Sequence, residues 1–298
     1  MSVKWGPASL QRVVRKAVVL AAGLGTRFLP TTRVVPKELL PLLDRPAIHY
    51  IVEECSRSGI EEVILVISRG KEAVGDYFKP SPALEAALER KGDLERLRQL
   101  QEISGLVTIT TVLQKDQRGT GDAVLAAEAV VAGEPFLMIY PDDVMVAEPP
   151  VAAQVIEVFR ERDAPITAVE RVPDSEVKNY GIADGEMIAD RLLRVERMVE
   201  KPDPSEVKSR LAVFGRYVLT PDIFDAIRRT PAGALGEVQL TDAFALLASE
   251  RPAYAYEFEA RRYDTGRPMT MLKAAIDVAL SRDDTRDEML DYLRQLKP

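Results

Sequence analysis

The stretch VVLAAGLGTRFLPTTRVVPKELLPLLDRP, Val18 to Pro46, opens on a hydrophobic run, breaks into Gly-x-Gly at Gly23, and then presents Arg27, Arg33 and Lys37. A short aliphatic run stopped by glycines reads as a buried strand entering a loop. The cations sit in that loop although the 298-residue chain is acidic, with 40 Lys and Arg against 47 Asp and Glu and a formal net charge of −7. That balance argues against a nucleic-acid or membrane-surface binder, because such partners attract broad excesses of Lys and Arg. The clustered cations therefore mark a local anion site.

Outward from this stretch, short β-branched or aliphatic runs alternate with segments of helical period. PAIHYIVEECSRSG places Ile48, Ile51, Val52 and Cys55 at i, i+3, i+4 and i+7, the spacing of one buried helix face, and Gly59 stops it. EEVILVIS follows as a strand, a Leu-spaced charged region as one or two solvent-facing helices, then TITTVL as strand, DAVLAAEAVV as helix and FLMIY as strand. This order predicts an α/β fold, a doubly wound and mostly parallel mixed sheet with helices on both faces. The second half is less regular, with strands at APITAVERV, YGIAD, LLRVERMVEKP, LAVFGRYVL and AYAYEFE. Helices are expected at PDIFDAIRRT, EVQLTDAFALLASE and from Pro268 to Leu296. No repeat or long linker supports a cut, so residues 1–298 read as a single domain with a core of about 16–280 and a C-terminal helical extension of about 283–298.

One cysteine, Cys55, excludes internal disulfides and thiolate metal clusters, which suits a reducing cytoplasm. One histidine, His49, lies in a helical segment with no Gly-x-Ser-x-Gly elbow elsewhere, so it reads as structural. The N-terminal MSVKWGPASLQRVVRK has no apolar core of signal-peptide length, and no stretch approaches the roughly 20 apolar residues of a membrane span. A soluble, cytoplasmic protein is expected.

In an open parallel sheet, ligands bind outside the carboxyl ends of the strands. Three polar motifs fall there: GLGTR after the first strand, QKDQRGTG after TITTVL, and PDD after FLMIY. Phe28 stands where a dinucleotide fingerprint has its third glycine, and no Gly-Lys-Ser/Thr follows, so neither that fingerprint nor a P-loop is complete. GLGTR is either a tight turn or a nest of backbone N–H groups for phosphate, and the neighbouring cations favour the nest. Asp142 and Asp143, as strand neighbours, tend to point apart, which argues against a glycosidase pair. One of them suits Mg²⁺, with a turn aspartate as the alternative. The DTG at Asp264 lacks the paired second Asp in a β-rich setting that an aspartic protease needs.

With these residues in place, the chain resembles the sugar-phosphate nucleotidylyltransferase family, and within it the bacterial UTP:glucose-1-phosphate uridylyltransferases. The resemblance runs from about Lys16 to about Leu280 and rests on an ordered set: the opening stretch, GTGDAV, PDD, NYG, VEKP, GRYVLTPDIF, GEVQLTDA and DTG. It implies a Rossmann-like, GT-A-like nucleotidyltransferase fold, with UTP and glucose 1-phosphate as substrates and Mg²⁺ as cofactor. On these motifs, Ala22, Gly23, Gly25, Glu38, Gln114 and Gly119 hold the uracil and nearby nucleotide. Arg27 and Lys37 hold the triphosphate and, with Lys201, carry catalysis. Gly181, Glu200 and Lys201 face the sugar phosphate, Asp142 binds metal, and Asp264 matches a second metal-facing position. The helical segment after GDYFKPSP looks like the uridylyl branch. Two positions depart from it: the branch usually has His where this chain has Asp122, and a His-Asp pair where it has Tyr263 and Asp264. Family members commonly assemble, so a homo-oligomer, dimer or tetramer, is expected, with no nucleic-acid or membrane partner. The rival readings are the same chemistry with dTTP or N-acetylglucosamine 1-phosphate, a non-catalytic regulatory paralogue, and a Rossmann dehydrogenase, the last weakened by the missing glycine.

Overall fold

Alternation along strand β1 (Lys16–Leu20) sets the layering. Successive strand residues point to opposite faces, and Ala17 and Val19 join one buried cluster while Val18 joins the other. The computed structural model describes residues 13–233 and 236–296. The expectation for the N-terminal segment falls largely on residues 1–12, outside the described residues.

After β1 the chain makes three short 3₁₀ turns, a small hairpin of β2 (Pro41–Leu42) and β3 (Arg45–Pro46), and α1 (Ala47–Arg57). The four apolar positions of α1 named above are all fully buried. At about 1.5–3 kcal/mol for each fully buried aliphatic side chain, this face alone fixes the helix on the sheet. His49 is buried beside them, its Nδ1 3.1 Å from the Tyr77 hydroxyl. Burial pushes its pKa down and that of the Cys55 thiol up, so both are structural. Gly59 carries φ +82° where the chain turns into β4 (Glu62–Ile67).

Next come α2 (Ala73–Asp76), the surface helices α3 (Pro82–Lys91) and α4 (Leu94–Ser104), and β5 (Thr108–Leu113). They lead to α5 (Thr120–Ala126), α6 (Glu128–Val131), β6 (Phe136–Ile139), β7 (Asp143–Val146) and α7 (Val151–Arg162). The second half contains β8 (Ile166–Arg171), β9 (Gly181–Ala189), β10 (Leu192–Glu200), β11 (Leu211–Leu219), α8 (Asp222–Arg229) and α9 (Leu240–Glu250). It closes with β12 (Tyr254–Glu257), β13 (Arg261–Asp264), α10 (Pro268–Ser281) and α11 (Arg286–Gln295).

Nine strands form one mixed sheet in the order β5-β4-β1-β6-β11-β8-β12-β10-β9. The first four are parallel, as the βαβ order predicts. From β11 onward the ladders are antiparallel except β8 with β12, with β9 and β10 joined as a hairpin. Helices cover both faces: α1, α7 and α10 pack on one, and α5, α6, α8 and α9 on the other. No helix among the described residues is long and apolar enough to cross a membrane.

Three elements differ from the sequence reading. Helix α7 was not anticipated, although its buried Val155, Ile156 and Phe159 follow a helical spacing. The PDD segment does not end at β6 but continues as β7, which pairs antiparallel with β13 in a separate ribbon. The C-terminal helix is broken between α10 and α11, where Arg282 is extended and binds both oxygens of Asp44 at 2.7 Å.

Candidate active site

The chain lays β4 and β5 to one side of β1 and then β6 to the other, so strand order reverses between β1 and β6. At the carboxyl ends of these strands lies a cleft of about 520 Å³, in the position where open α/β sheets take ligands.

The loop after β1 forms its first wall. Gly25 takes φ +66°, its carbonyl accepting from Phe28 N–H and from the Thr32 hydroxyl at 2.8 Å. Beneath this loop, buried Lys71 donates to the carbonyls of Ala21 and Gly23, both at 2.7 Å, and to the two oxygens of Glu38 at 2.9 and 2.8 Å. Burial lowers the Lys71 pKa more than Glu38 raises it. The carbonyls are thereby turned down into the fold, and a Cβ on Gly23 would meet nothing within 4 Å.

The loop after β5 is stitched to its neighbours on both sides. The Gln117 amide donates to Ala22 O at 2.7 Å. Gly119, at φ +103°, lies so close to the 237–241 segment that a Cβ would stand 2.4 Å from Val238 O. The Gln114 amide nitrogen donates to Asp122 Oδ2 at 3.0 Å and to Gly119 O at 3.3 Å.

The loop after β6 supplies the carboxylates. Asp142 Oδ2 lies 3.0 Å from Lys37 Nζ. Burial opposes the Asp142 charge, but Lys37 outweighs it and the pKa falls. Burial likewise works against the Lys37 charge, and Asp142 reverses it, so the ammonium stays protonated. Asp143 is bound to Arg262 at 2.9 Å. Burial and then the Asp142 charge push its pKa up to about 6 against the opposing pull of Arg262 and Arg216. Below them Arg216, fully buried, pairs with Glu54 at 2.5 Å and donates to Asp143 O at 2.7 Å.

The opposite wall comes from the second half. Gly181 is closely packed, since a Cβ would stand 3.1 Å from Glu200 Oε2 and from Thr241 Cγ2 and would press on both side chains. Thr241 donates to that same Glu200 oxygen at 2.9 Å. Lys201, at φ +48°, holds its ammonium 3.3 Å from the other. A non-glycine residue in this conformation is strained, a feature that gathers at functional sites.

Of the residues anticipated, Ala22, Gly23, Arg27, Lys37, Gln114, Gly119, Asp142, Gly181, Glu200 and Lys201 all line the cleft. Arg33 is exposed outside it, Gly25 shapes the loop from behind, and Glu38 lies under the floor on Lys71. Asp264 stands behind Asp142: its Oδ1 and Asp142 Oδ2 fall 3.0 and 3.3 Å from where a Cβ of Gly266 would stand. The Thr265 N–H straps this turn to Asp142 O at 2.7 Å. Arg27 Nη1 lies 3.6 Å from the same Cβ position and Lys37 holds Asp142 Oδ2, so the two carboxylate oxygens would have to share a hard cation such as Mg²⁺ with these cations and with phosphate and water ligands. Among the described residues no group of three or more His, Cys, Asp or Glu is placed to hold a metal without such help. The cleft also contains Thr120, Tyr140, Tyr180, Tyr217, Glu237 and Gln239, to which the sequence alone assigned no role.

A model of the nucleotidyl transferase family matches residues 16–280. The chain belongs to that family. Every residue of the cleft wall falls inside the family match, and α11 falls outside it. The chain is 41% identical over 283 residues to the UTP--glucose-1-phosphate uridylyltransferase of Staphylococcus haemolyticus (strain JCSC1435), covering 95% of this chain and 98% of the relative. The UTP-bound UGPase from Acinetobacter baumannii superposes with a TM-score of 0.88 at 34% identity, over 96% of this chain and all of that one. A UDP-glucose pyrophosphorylase complexed with UDP-glucose superposes with a TM-score of 0.82 at 36% identity, over 91% of this chain and 100% of that one. The nucleotidyltransferase fold and the sugar-nucleotide branch are therefore shared along nearly the whole chain.

Proposed function

We infer that this chain converts UTP and α-D-glucose 1-phosphate to UDP-glucose and pyrophosphate. What carries the reading is a single cleft that joins the Gly-x-Gly loop, the Lys37–Asp142 pair and Lys201, in a chain 41% identical to a uridylyltransferase over 95% of its length.

A phosphate oxygen of glucose 1-phosphate bonds to the α-phosphorus of UTP while the α–β bridging bond breaks and pyrophosphate leaves. The nucleophile is already an anion, so no side chain has to remove a proton, which suits a cleft without histidine. The obstacle is charge. At an effective dielectric near 20, two unit charges about 4 Å apart repel by roughly 4 kcal/mol, and several such pairs meet here. Arg27 and Lys37 stand on the triphosphate side and Lys201 on the sugar-phosphate side, so the cations flank the reacting centre from both walls. They offset the repulsion and stabilise the leaving pyrophosphate. Ala22, Gly23, Gln114 and Gly119 hold the base end, and Glu38 acts through Lys71 on the loop above it. Glu200 accepts sugar hydroxyls, oriented by Thr241. Asp142 and Asp264 would hold Mg²⁺, which neutralises phosphate charge when bound.

The test is pyrophosphate release by the purified chain with Mg²⁺ across UTP, dTTP, ATP, CTP and GTP, each with glucose 1-phosphate or N-acetylglucosamine 1-phosphate. UTP with glucose 1-phosphate should give the highest kcat/KM. A higher value with dTTP or with the amino sugar would move the substrate assignment, and no release with any pair would leave a binding-only paralogue.

A further inference from the structure

The amide of Gln114 is held in one orientation. Its residue is 6% exposed and its backbone N–H is tied to Ile67 O at 2.9 Å, so the side chain leaves the end of β5 along a fixed path into the cleft. Both N–H bonds of its amide are committed, to Asp122 Oδ2 at 3.0 Å and to Gly119 O at 3.3 Å. A carboxylate and a carbonyl can only accept, so neither tolerates the reversed amide, which would set oxygen against oxygen. Asp122 is itself anchored, its other oxygen 3.3 Å from the Arg118 guanidinium. What remains of Gln114 is its carbonyl oxygen, which has no partner among the described residues and is the only polar group its side chain can offer to a ligand.

We propose that Asp122 is a positioning residue for base choice, locking Gln114 so that it presents an acceptor and no donor to the nucleobase. This rests on the uridylyl reading, in which the base lies against Gln114. A lone acceptor matches the N3–H of uracil. Cytosine presents a lone pair at N3 and adenine one at N1, so each, set in the same place, would turn a lone pair toward the Gln114 oxygen. A buried site built around a particular hydrogen bond rejects the analogue that cannot make it, because its own polar group is left unpaired. The aspartate that departs from the usual branch sequence thus serves selection for uracil rather than relaxing it.

The experiment measures kcat/KM for UTP and for CTP, each with glucose 1-phosphate and Mg²⁺, in the wild-type chain, Asp122→Ala, Asp122→Asn and Gln114→Ala. If dTTP proves the better substrate it replaces UTP, since thymine carries the same N3–H. Asp122→Ala should lower the UTP:CTP ratio about tenfold through a higher KM for UTP, with kcat little changed. Asp122→Asn keeps a neutral acceptor and should recover part of that loss. A purely structural role would slow both nucleotides alike and leave the ratio where it was. A ratio within twofold of wild type in both Asp122 variants, with a collapsed ratio in Gln114→Ala, overturns the role of Asp122 and leaves the base site intact. An unchanged ratio in Gln114→Ala removes the base from Gln114 and overturns both. Should Asp122→Ala fail to fold, the near-isosteric Asp122→Asn decides alone: a threefold or larger fall supports the proposal, and a smaller one overturns it.

Discussion

The first wall of the cleft gathers three loops from the parallel half of the sheet, with tight glycines beside the side chains of Arg27, Lys37 and Gln114, whereas the opposite wall is assembled from side chains of strands and turns scattered between residues 179 and 241. Nest-like turns and tight glycines favour phosphate and a flat base, groups recognised by repeated N–H donors and close approach. A sugar differs from its epimers only in hydroxyl direction, and on the proposed function Glu200, held by Thr241, is the aimed acceptor that such a ligand requires. The two walls meet at Asp142 and Asp143. One is held from above by Lys37, and the backbone of the other is held from below by Arg216.

The sharpest way to break this division is at the seam. Asp142→Ala removes the carboxylate paired with Lys37 and, on the proposed function, should reduce kcat by about 10³-fold. Steady-state rates across a Mg²⁺ titration would show it, and normal metal dependence would take Asp142 out of the site. Glu54→Ala leaves Arg216 charged, buried and unpaired, which costs about 3–5 kcal/mol of stability. Urea denaturation should record this as a fall in midpoint without any change at the cleft surface. On the sugar wall alone, Lys201→Ala should lower kcat about 10²-fold and raise KM for glucose 1-phosphate, with KM for UTP little changed. A raised KM for UTP instead would place Lys201 with the nucleotide wall.

The smallest effect concerns Asp143. Its folded pKa lies near 6, above that of an ordinary aspartate, so the native state binds a proton that the unfolded chain releases near pH 4. Its contribution to stability is full below about pH 4 and is lost as pH rises through 6. Asp143→Asn removes that dependence. Melting temperatures measured from pH 4 to 7 should favour the variant increasingly up to about pH 6, by on the order of 1–3 kcal/mol, and then run parallel to the wild type.

The same contrast explains how much could be read from the chain. The first wall was legible because its parts are local: glycines and cations straight after the apolar strand β1, QKDQRGTG after β5, and Pro-Asp-Asp after β6. Helix α1 announced its buried face in four residues. The seam was not legible. Arg216 and Glu54 lie 162 positions apart, and each alone reads as a surface charge. Asp264 comes near Asp142 only because β13 folds back on β7, a pairing that no local pattern encodes. Thr241 acquires its part from the contact of α9 with β10, and Lys71 lay in an unremarkable turn after β4.

Lys71 and Glu38 carry one further consequence. They stand 33 positions apart, do not themselves line the cleft, and are bound to one another and to the loop above. Losing either alone strands a buried charge. Replacing both by apolar residues still abandons the carbonyls of Ala21 and Gly23, which are among the four acceptors that share this ammonium. The usual escape from a buried ion pair, a compensated double substitution, is therefore closed. In mutational terms the two positions are inherited as a unit, and a library of single and paired replacements should find both as intolerant as residues that face the substrate.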